Sequence, residues 1–339
     1  MMRTVVSGLA AAALASVAMA QQVDTFGRQP APNELNRGIG WRLDGRLAFL
    51  GQKLFFDARL SGTGRTACAS CHDPGYAFAE PRRVSTSDSG REGRRNAPSL
   101  LDVGALHTLM WDGRFRTLEE QALSPFQRGE MGIGVDQAVQ RVSTDPQYAH
   151  LFRAALGHHP TADGMARALA AFQRTLVSLP SRVDRFLVNN ETAILTSLEQ
   201  HGLATFAGRA ACTNCHQLFP LRPDGRMHTR PFLMDFRFHN LGVGFRPDGF
   251  ADTGRYGHSL IKAEWGAFRT PSLRSSARTP PYMHDGSLAT LGDVVEFYSA
   301  GGRPNPNLSP LIRPLFLNGY EKAALVAFLR ALSDEDRAY

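Results

Sequence analysis

Two short strings carry the chemistry of this chain: Cys68-Ala69-Ser70-Cys71-His72 and Cys212-Thr213-Asn214-Cys215-His216. Between them they use all 4 of its cysteines. Two thiols and an imidazole at C-x-x-C-H spacing form the attachment signature of a c-type haem. The thiols bond to the porphyrin vinyl groups, and the adjoining histidine ligates the iron from the same side. A zinc site assembled from two CxxC pairs wants them ~15–20 residues apart, whereas these lie about 140 residues apart. Neither a thioredoxin-like redox pair nor two disulfides accounts for a histidine after each pair. The spacing predicts two covalently bound haem c groups, and hence iron redox chemistry.

The elements that must position these groups recur with them. Leu47, Leu50, Leu54 and Phe55 follow helical spacing between Gly45 and Phe56, and a loop with Gly62 and Gly64 leads into the first motif. Leu198, Leu203 and Phe206 follow the same spacing before the second motif, with Gly208 in the loop. Helix, loop and CxxCH, twice over, predict a mainly α fold of two cytochrome c-like haem domains with long ordered loops. Amphipathic helices are expected over 136–156 and 161–179, with Asp136, Thr161 and Asp163 as candidate caps and Pro180 as a stop. Residues 219–260 lack periodicity and read as ordered loop, and a last helix is expected over 319–332. A boundary within 182–190 gives an N-terminal domain over 21–185 and a C-terminal domain over 186–339.

Residues 1–20 read as a secretory signal peptide. Arg3 supplies the positive end, an alanine-rich apolar stretch follows, and Ala18-Met19-Ala20 fits the cleavage site. Residues 21–40, rich in Pro, Gly and Asn, read as an extended arm. No later stretch reaches the ~18 apolar residues of a membrane span, so the expectation is a periplasmic protein with no span in its mature form. The formal net charge of +7 suits an acidic redox partner. No basic run interleaved with aromatics points to nucleic acid.

Further strings then fall into place: Phe55-Phe56-Asp57-Ala58-Arg59-Leu60-Ser61, Trp111-Asp112-Gly113-Arg114, Leu118-Glu119-Glu120-Gln121-Ala122, Glu130-Met131, Phe238-His239-Asn240-Leu241-Gly242 and Pro281-Tyr282-Met283-His284-Asp285-Gly286-Ser287. Around two CxxCH motifs, this set resembles the bacterial dihaem cytochrome c peroxidase family, MauG-type enzymes included, over nearly all of the mature chain. The resemblance implies a peroxide-reactive haem on His72 and an electron-transfer haem on His216. It implies catalytic roles for Glu130 as proton shuttle, Gln121 as hydrogen-bond donor, Pro125 as a distal-pocket residue and Trp111 as a relay between the haems. It also implies a calcium ion held by Asn96, Thr279 and Pro281. Many members place a second histidine on the first iron, from a loop after the first motif. No histidine lies between Asp73 and Leu106 here, so the first haem is expected to be open. On the second iron the resemblance implies Tyr298, as in MauG-type members, with Met283 as the fallback.

These expectations converge on a peroxide-dependent oxidoreductase that forms a high-valent, bis-Fe(IV)-like state and oxidises a protein residue of a partner. One alternative is a cytochrome c peroxidase drawing electrons from a small cytochrome or cupredoxin. Another is a dihaem electron carrier without a catalytic step. Where MauG-type relays use a tryptophan before the second motif, this chain reads Gly208-Arg209-Ala210-Ala211. That difference makes methylamine dehydrogenase an unsuitable partner.

Overall fold

The computed structural model describes residues 44–333, apart from 128, 223 and 224. The expected signal peptide (1–20) and arm (21–40) lie outside the described residues. Helix α1 (Gly45–Phe56) starts where the Asp44 carboxylate accepts from the backbone N–H groups of Arg46 and Leu47. Its apolar spacing buries Leu50, Leu54 and Phe55. Along the chain follow α2 (Leu118–Gln127), α3 (Val135–Ser143), α4 (Pro146–Leu156), α5 (Ala162–Thr175), α6 (Arg182–Val188) and α7 (Ser197–Ala207). The short α8 (Tyr256–Ser259), α9 (Leu291–Ser299) and α10 (Gly319–Ala331) complete the helices among the described residues. The fold is mainly α, as expected.

One packing device occurs twice. Helix α1 crosses α5 at Gly51, where a Cβ would lie 1.8 Å from the Ala168 carbonyl oxygen. Helix α7 crosses α10 at Gly202, where a Cβ would lie 2.0 Å from the Ala324 carbonyl oxygen. Only a missing side chain lets the backbones approach so closely. Four residues on, Phe55 meets Phe172 with ring centroids 5.1 Å apart, and Phe206 meets Phe328 at 5.0 Å. Each crossing thus sets an aromatic pair on the face that leads toward its CxxCH motif.

The expected helix over 136–156 is two helices. Pro146 takes the first position of α4, and Asp145 caps it by accepting from Gln147 N. Asp136 lies in the first turn of α3, which Gly134 caps. Thr161 does cap α5, accepting from Gly164 N, while Asp163 sits in its first turn. Helix α5 ends at Thr175 rather than 179. The irregular 219–260 stretch contains short strands. β1 (Phe238–Asn240) pairs antiparallel with β4 (Ala267–Arg269), and β2 (Phe245–Arg246) with β3 (Gly249–Phe250).

A buried ionic network joins the segment after α5 to the C-terminal half. Arg274, 5% exposed, gives Nη1 to Asp184 Oδ1 at 2.8 Å, Nε to Ser178 Oγ at 2.6 Å and Nη2 to the Leu179 carbonyl at 2.8 Å. Arg230 pairs with Asp102, which also accepts from the Ser178 hydroxyl. Burial by itself raises the Asp184 carboxyl, but the Arg274 charge and the Ser181 hydrogen bonds outweigh it and hold the pKa below the ordinary range.

Gly51→Ala and Gly202→Ala are each expected to destabilise the protein by roughly 1–3 kcal/mol through overpacking. Gly319→Ala, where a Cβ meets nothing within 4 Å, should be neutral or stabilising; urea midpoints compare the three. Because the folded pKa of Asp184 is depressed, its stabilisation is full above about pH 4. It is lost as pH falls through the lower folded value. Asp184→Asn should therefore lower stability at neutral pH and flatten the acid limb of midpoint against pH.

Candidate functional site

Each CxxCH string folds as a tight 3₁₀ turn, over Cys68–Ser70 and Cys212–Asn214. The backbone N–H of His72 donates to the Cys68 carbonyl at 3.0 Å, and that of His216 to the Cys212 carbonyl at 2.8 Å. This turn gathers two sulfurs and one ring. The four thiols are free, which removes the disulfide reading. Cys68, Cys71 and His72 line one cavity, and Cys212, Cys215 and His216 another. The two CxxC pairs therefore do not build a common zinc site. Burial, the largest cause for each, pushes the Cys68 and Cys212 thiols up to about 12 and Cys71 to about 11.

The imidazoles are fixed in the same way at both sites. His72 Nδ1 lies 3.1 Å from the Phe78 carbonyl oxygen, and His216 Nδ1 lies 2.9 Å from that of Leu233. A carbonyl can only accept, so Nδ1 carries the proton and Nε2 keeps its lone pair for a metal. Burial, outweighing these bonds, holds both histidines below the ordinary range and so neutral. Phe78 and Leu233 both adopt left-handed backbone, with φ of 58° and 54°. Bulky side chains rarely do so, and strain of this kind gathers at functional sites. Ring pairs Phe55–His72 and Phe206–His216, each 6.5 Å between centroids, complete the repeat. An apolar cavity, paired thiols and an imidazole with a free Nε2 fit a covalently held haem c at each site.

The first cavity also receives Gln121, Pro125 and Glu130. Gln121 and Pro125 are four apart on α2 and so share a face. Glu130 follows in the turn after the helix. The segment without histidine, 85–93, is a hairpin bridged at Thr86 and Glu92. Asp88 pins it: the carboxylate accepts from Thr63 N at 2.7 Å and Thr63 Oγ1 at 2.6 Å. Asp88 N donates to the Glu130 carbonyl at 2.8 Å. One residue thus ties the hairpin to both the approach to the first CxxCH and the backbone of Glu130. The sequence reading passed over Asp88; its only signal is the Asp-Ser-Gly turn string.

Tyr298 and Met283 both line the second cavity. Tyr298 stands on α9, and burial, with Cys215 and Cys212 nearby, pushes its phenol above the ordinary range. Met283 lies in a turn with φ of 70°. His239 gives Nε2 to Asp235 at 2.8 Å and Nδ1 to Ser309 Oγ at 3.3 Å. Burial pulls His239 down, but the Asp235 carboxylate and the Cys215 thiol raise it to about 9. His284 stacks on Phe268 at 3.6 Å, and burial lowers it to about 4.

Trp111 lines both cavities. It sits in a hairpin closed by Leu109 N to the Phe115 carbonyl at 2.9 Å. Gly113, at φ 66°, has no room for a Cβ, which would lie 2.3 Å from Phe238. Asp112 holds the turn through Arg95 and Arg114, each at 2.7 Å. Indole Nε1 donates to the Asn96 carbonyl at 2.8 Å. The Asn96 amide nitrogen donates to the Glu80 and Arg82 carbonyls at 2.9 and 2.8 Å, which leaves Oδ1 as the acceptor. Asn96, Thr279 and Pro281 share the wall of the second cavity. Arg269, absent from the sequence reading, lines both cavities beside Trp111.

A family model described as Di-haem cytochrome c peroxidase matches residues 46–192. The methylamine utilization protein MauG of Methylorubrum extorquens is 35% identical over 292 residues, covering 85% of this chain and 78% of that protein. Cytochrome-c peroxidase IdrP1 of Denitromonas iodatirespirans is 36% identical over 304 residues, covering 84% and 80%. Among solved structures, a MauG-like protein associated with microbial copper homeostasis matches with a TM-score of 0.75 at 35% identity, covering 87% of this chain and 91% of that one.

Asp88→Ala should release the hairpin over 85–93. Trypsin is then expected to cut after Arg91 several times faster than in the unsubstituted protein, with thermal unfolding little changed; equal cutting rates would mean that Asp88 is not the pin.

Proposed function

The chain belongs to the di-haem cytochrome c peroxidase family, and from that premise we propose that it is a periplasmic enzyme that uses hydrogen peroxide to oxidise a residue of a partner protein. Two modules, 21–185 and 186–339, each carry one haem c. Haem held by Cys68, Cys71 and His72, and by Cys212, Cys215 and His216, supplies the iron that reacts with peroxide and stores its oxidising power.

The chain's own residues divide the remaining work. Glu130 takes the proton from the inner peroxide oxygen through a carboxylate oxygen and returns it to the departing one. Gln121 would present its amide N–H to peroxide in the first cavity. Pro125 lacks an N–H, so the Gln121 carbonyl has no helical donor there. Trp111, lining both cavities, provides the π system through which charge passes between them. Tyr298 would hold the second haem's iron through its phenolate oxygen, where an oxyanion donor would favour higher oxidation states than the Met283 thioether. Asn96 Oδ1 and the Thr279 and Pro281 carbonyls would hold a calcium ion, which oxygen-only donors suit. Reducing one peroxide to two waters consumes two protons and two electrons, and the partner residue supplies the electrons.

The observation that supports this reading is the inequality of the two cavities. One combines Gln121, Pro125 and Glu130 with a histidine-free, pinned hairpin; the other offers Tyr298. An ordinary peroxidase with a small acidic redox protein as donor is the second reading, favoured by the net charge of +7 and the absence of a tryptophan before the second motif. Arg209 stands there instead, tied to Glu321 at 2.8 Å and to the Phe316 carbonyl at 2.9 Å.

EPR of the oxidised enzyme should give one high-spin and one low-spin haem; two low-spin signals would sink the open-site assignment. Tyr298→Phe should alter the low-spin signal and abolish the peroxide-induced near-infrared absorption, and its survival would point to Met283. Turnover with reduced cytochrome c separates the two readings: rapid steady-state oxidation favours the peroxidase.

A further inference from the structure

Arginines in this protein that are buried beside acids are matched to them. Arg274 has Asp184 at 2.8 Å, and Arg95 has Asp112 at 2.7 Å and Asp252 at 2.6 Å. Arg269 departs from that rule. It is 6% exposed and has no carboxylate within ion-pair distance among the described residues. Its Nε donates to the Met110 carbonyl at 3.3 Å and its Nη1 to the Thr270 carbonyl at 3.2 Å. Neutral carbonyls share the hydrogen bonds but do not cancel the charge. Burial, with no opposing contribution, lowers its pKa to about 10. A guanidinium nevertheless stays protonated, so the cation is held in a place where an uncompensated charge is strongly unfavourable.

Its position says what would compensate it. Arg269 ends strand β4, paired with Phe238 across the ladder, and its N–H donates to the Trp111 carbonyl at 2.8 Å. It lines the cavity of each CxxCH motif. The titratable neighbour facing it is His107, which burial and the charges of Arg116 and Arg269 hold below the ordinary range. No acid among the described residues fills the role, and the ligands fitted to these cavities carry carboxylates of their own. We propose that Arg269 is the counter-ion of a haem propionate, binding its carboxylate between the two cavities beside Trp111. The ion pair rests on the presence of haem c at the two motifs and not on whether Tyr298 or Met283 ligates the second iron. It places a fixed positive charge against the relay and keeps the propionate ionised.

The test is a spectroelectrochemical titration of both haems in the holoenzyme, against pH, in the unsubstituted protein, Arg269→Gln and Arg269→Lys. Haem loading is checked by the pyridine haemochrome spectrum. Loss of the cation leaves a buried carboxylate that takes up a proton on haem reduction. Arg269→Gln should therefore lower the midpoint potential of at least one haem and make it pH-dependent near neutrality. Arg269→Lys should keep potentials close to those of the unsubstituted enzyme at neutral pH and acquire a pH dependence in the alkaline range, because an amine can deprotonate. If the glutamine variant loads poorly, the alkaline titration of the lysine variant decides alone. Potentials unchanged and pH-independent in every variant that loads haem would overturn the proposal. So would a potential in the unsubstituted enzyme that follows chloride concentration and loses that dependence in Arg269→Gln, since a solvent anion would then be the partner. Both results are independent of the Tyr298 and peroxide experiments.

Discussion

The hydrogen bond from each CxxCH imidazole to a backbone carbonyl is the constraint around which the rest of the structure is arranged. It fixes the tautomer, aims the ring and leaves Nε2 available. To present those carbonyls, Phe78 and Leu233 both take a left-handed backbone that their side chains disfavour. Burial of both side chains over-determines the conformation. The glycine crossings at Gly51 and Gly202 serve the same end from the other side. They bring paired helices close enough for Phe55 and Phe206 to stand against the histidine rings. Two copies of one physical solution lie in halves whose loops have little else in common.

What was legible in the sequence is what local chemistry dictates. The CxxCH strings declare themselves because covalent attachment needs those atoms at that spacing. Helix α1 was legible because its apolar spacing is regular and its ends are clean. Helix α2 was not, because Pro125 sits inside it and reads as a breaker, although it places Gln121 and Pro125 on one face. The stretch over 136–156 was merged because both halves are amphipathic, and Pro146 starts a helix as readily as it ends one. Gly51 and Gly202 gave no signal, since a glycine within a helical pattern reveals its purpose only beside the carbonyl it avoids. The grouping of Asn96, Thr279 and Pro281 on one wall follows from long-range chain placement that no local pattern encodes.

Among the described residues, charged pairs join the N-terminal and C-terminal halves of the sequence. Asp102 and Ser178 from the first half meet Arg230 and Arg274 from the second, and Asp112 on the Trp111 hairpin meets Arg95, which also holds Asp252. Such pairs add little net stability over apolar packing, but removing one partner is severe, so they define one arrangement and penalise others. That suits a relay. Charge transfer through an indole falls off steeply with distance, and Trp111 is held by its Nε1 bond to Asn96, by the Gly113 turn and by Arg269 N. Rigid placement between the cavities matters more here than strength.

The same economy of placement bears on what the enzyme oxidises. The proposed oxidation of a distant protein residue requires a path from the second cavity to the surface, and the stretch before the second motif carries no tryptophan but Arg209. Its guanidinium is not free to act as a loose docking charge, because Glu321 and the Phe316 carbonyl hold it. Phe316 is 80% exposed, and the neighbours on either side, Leu315 and Leu317, line the second cavity. Phe316 thus stands exposed at the surface between two leucines that face the second cavity.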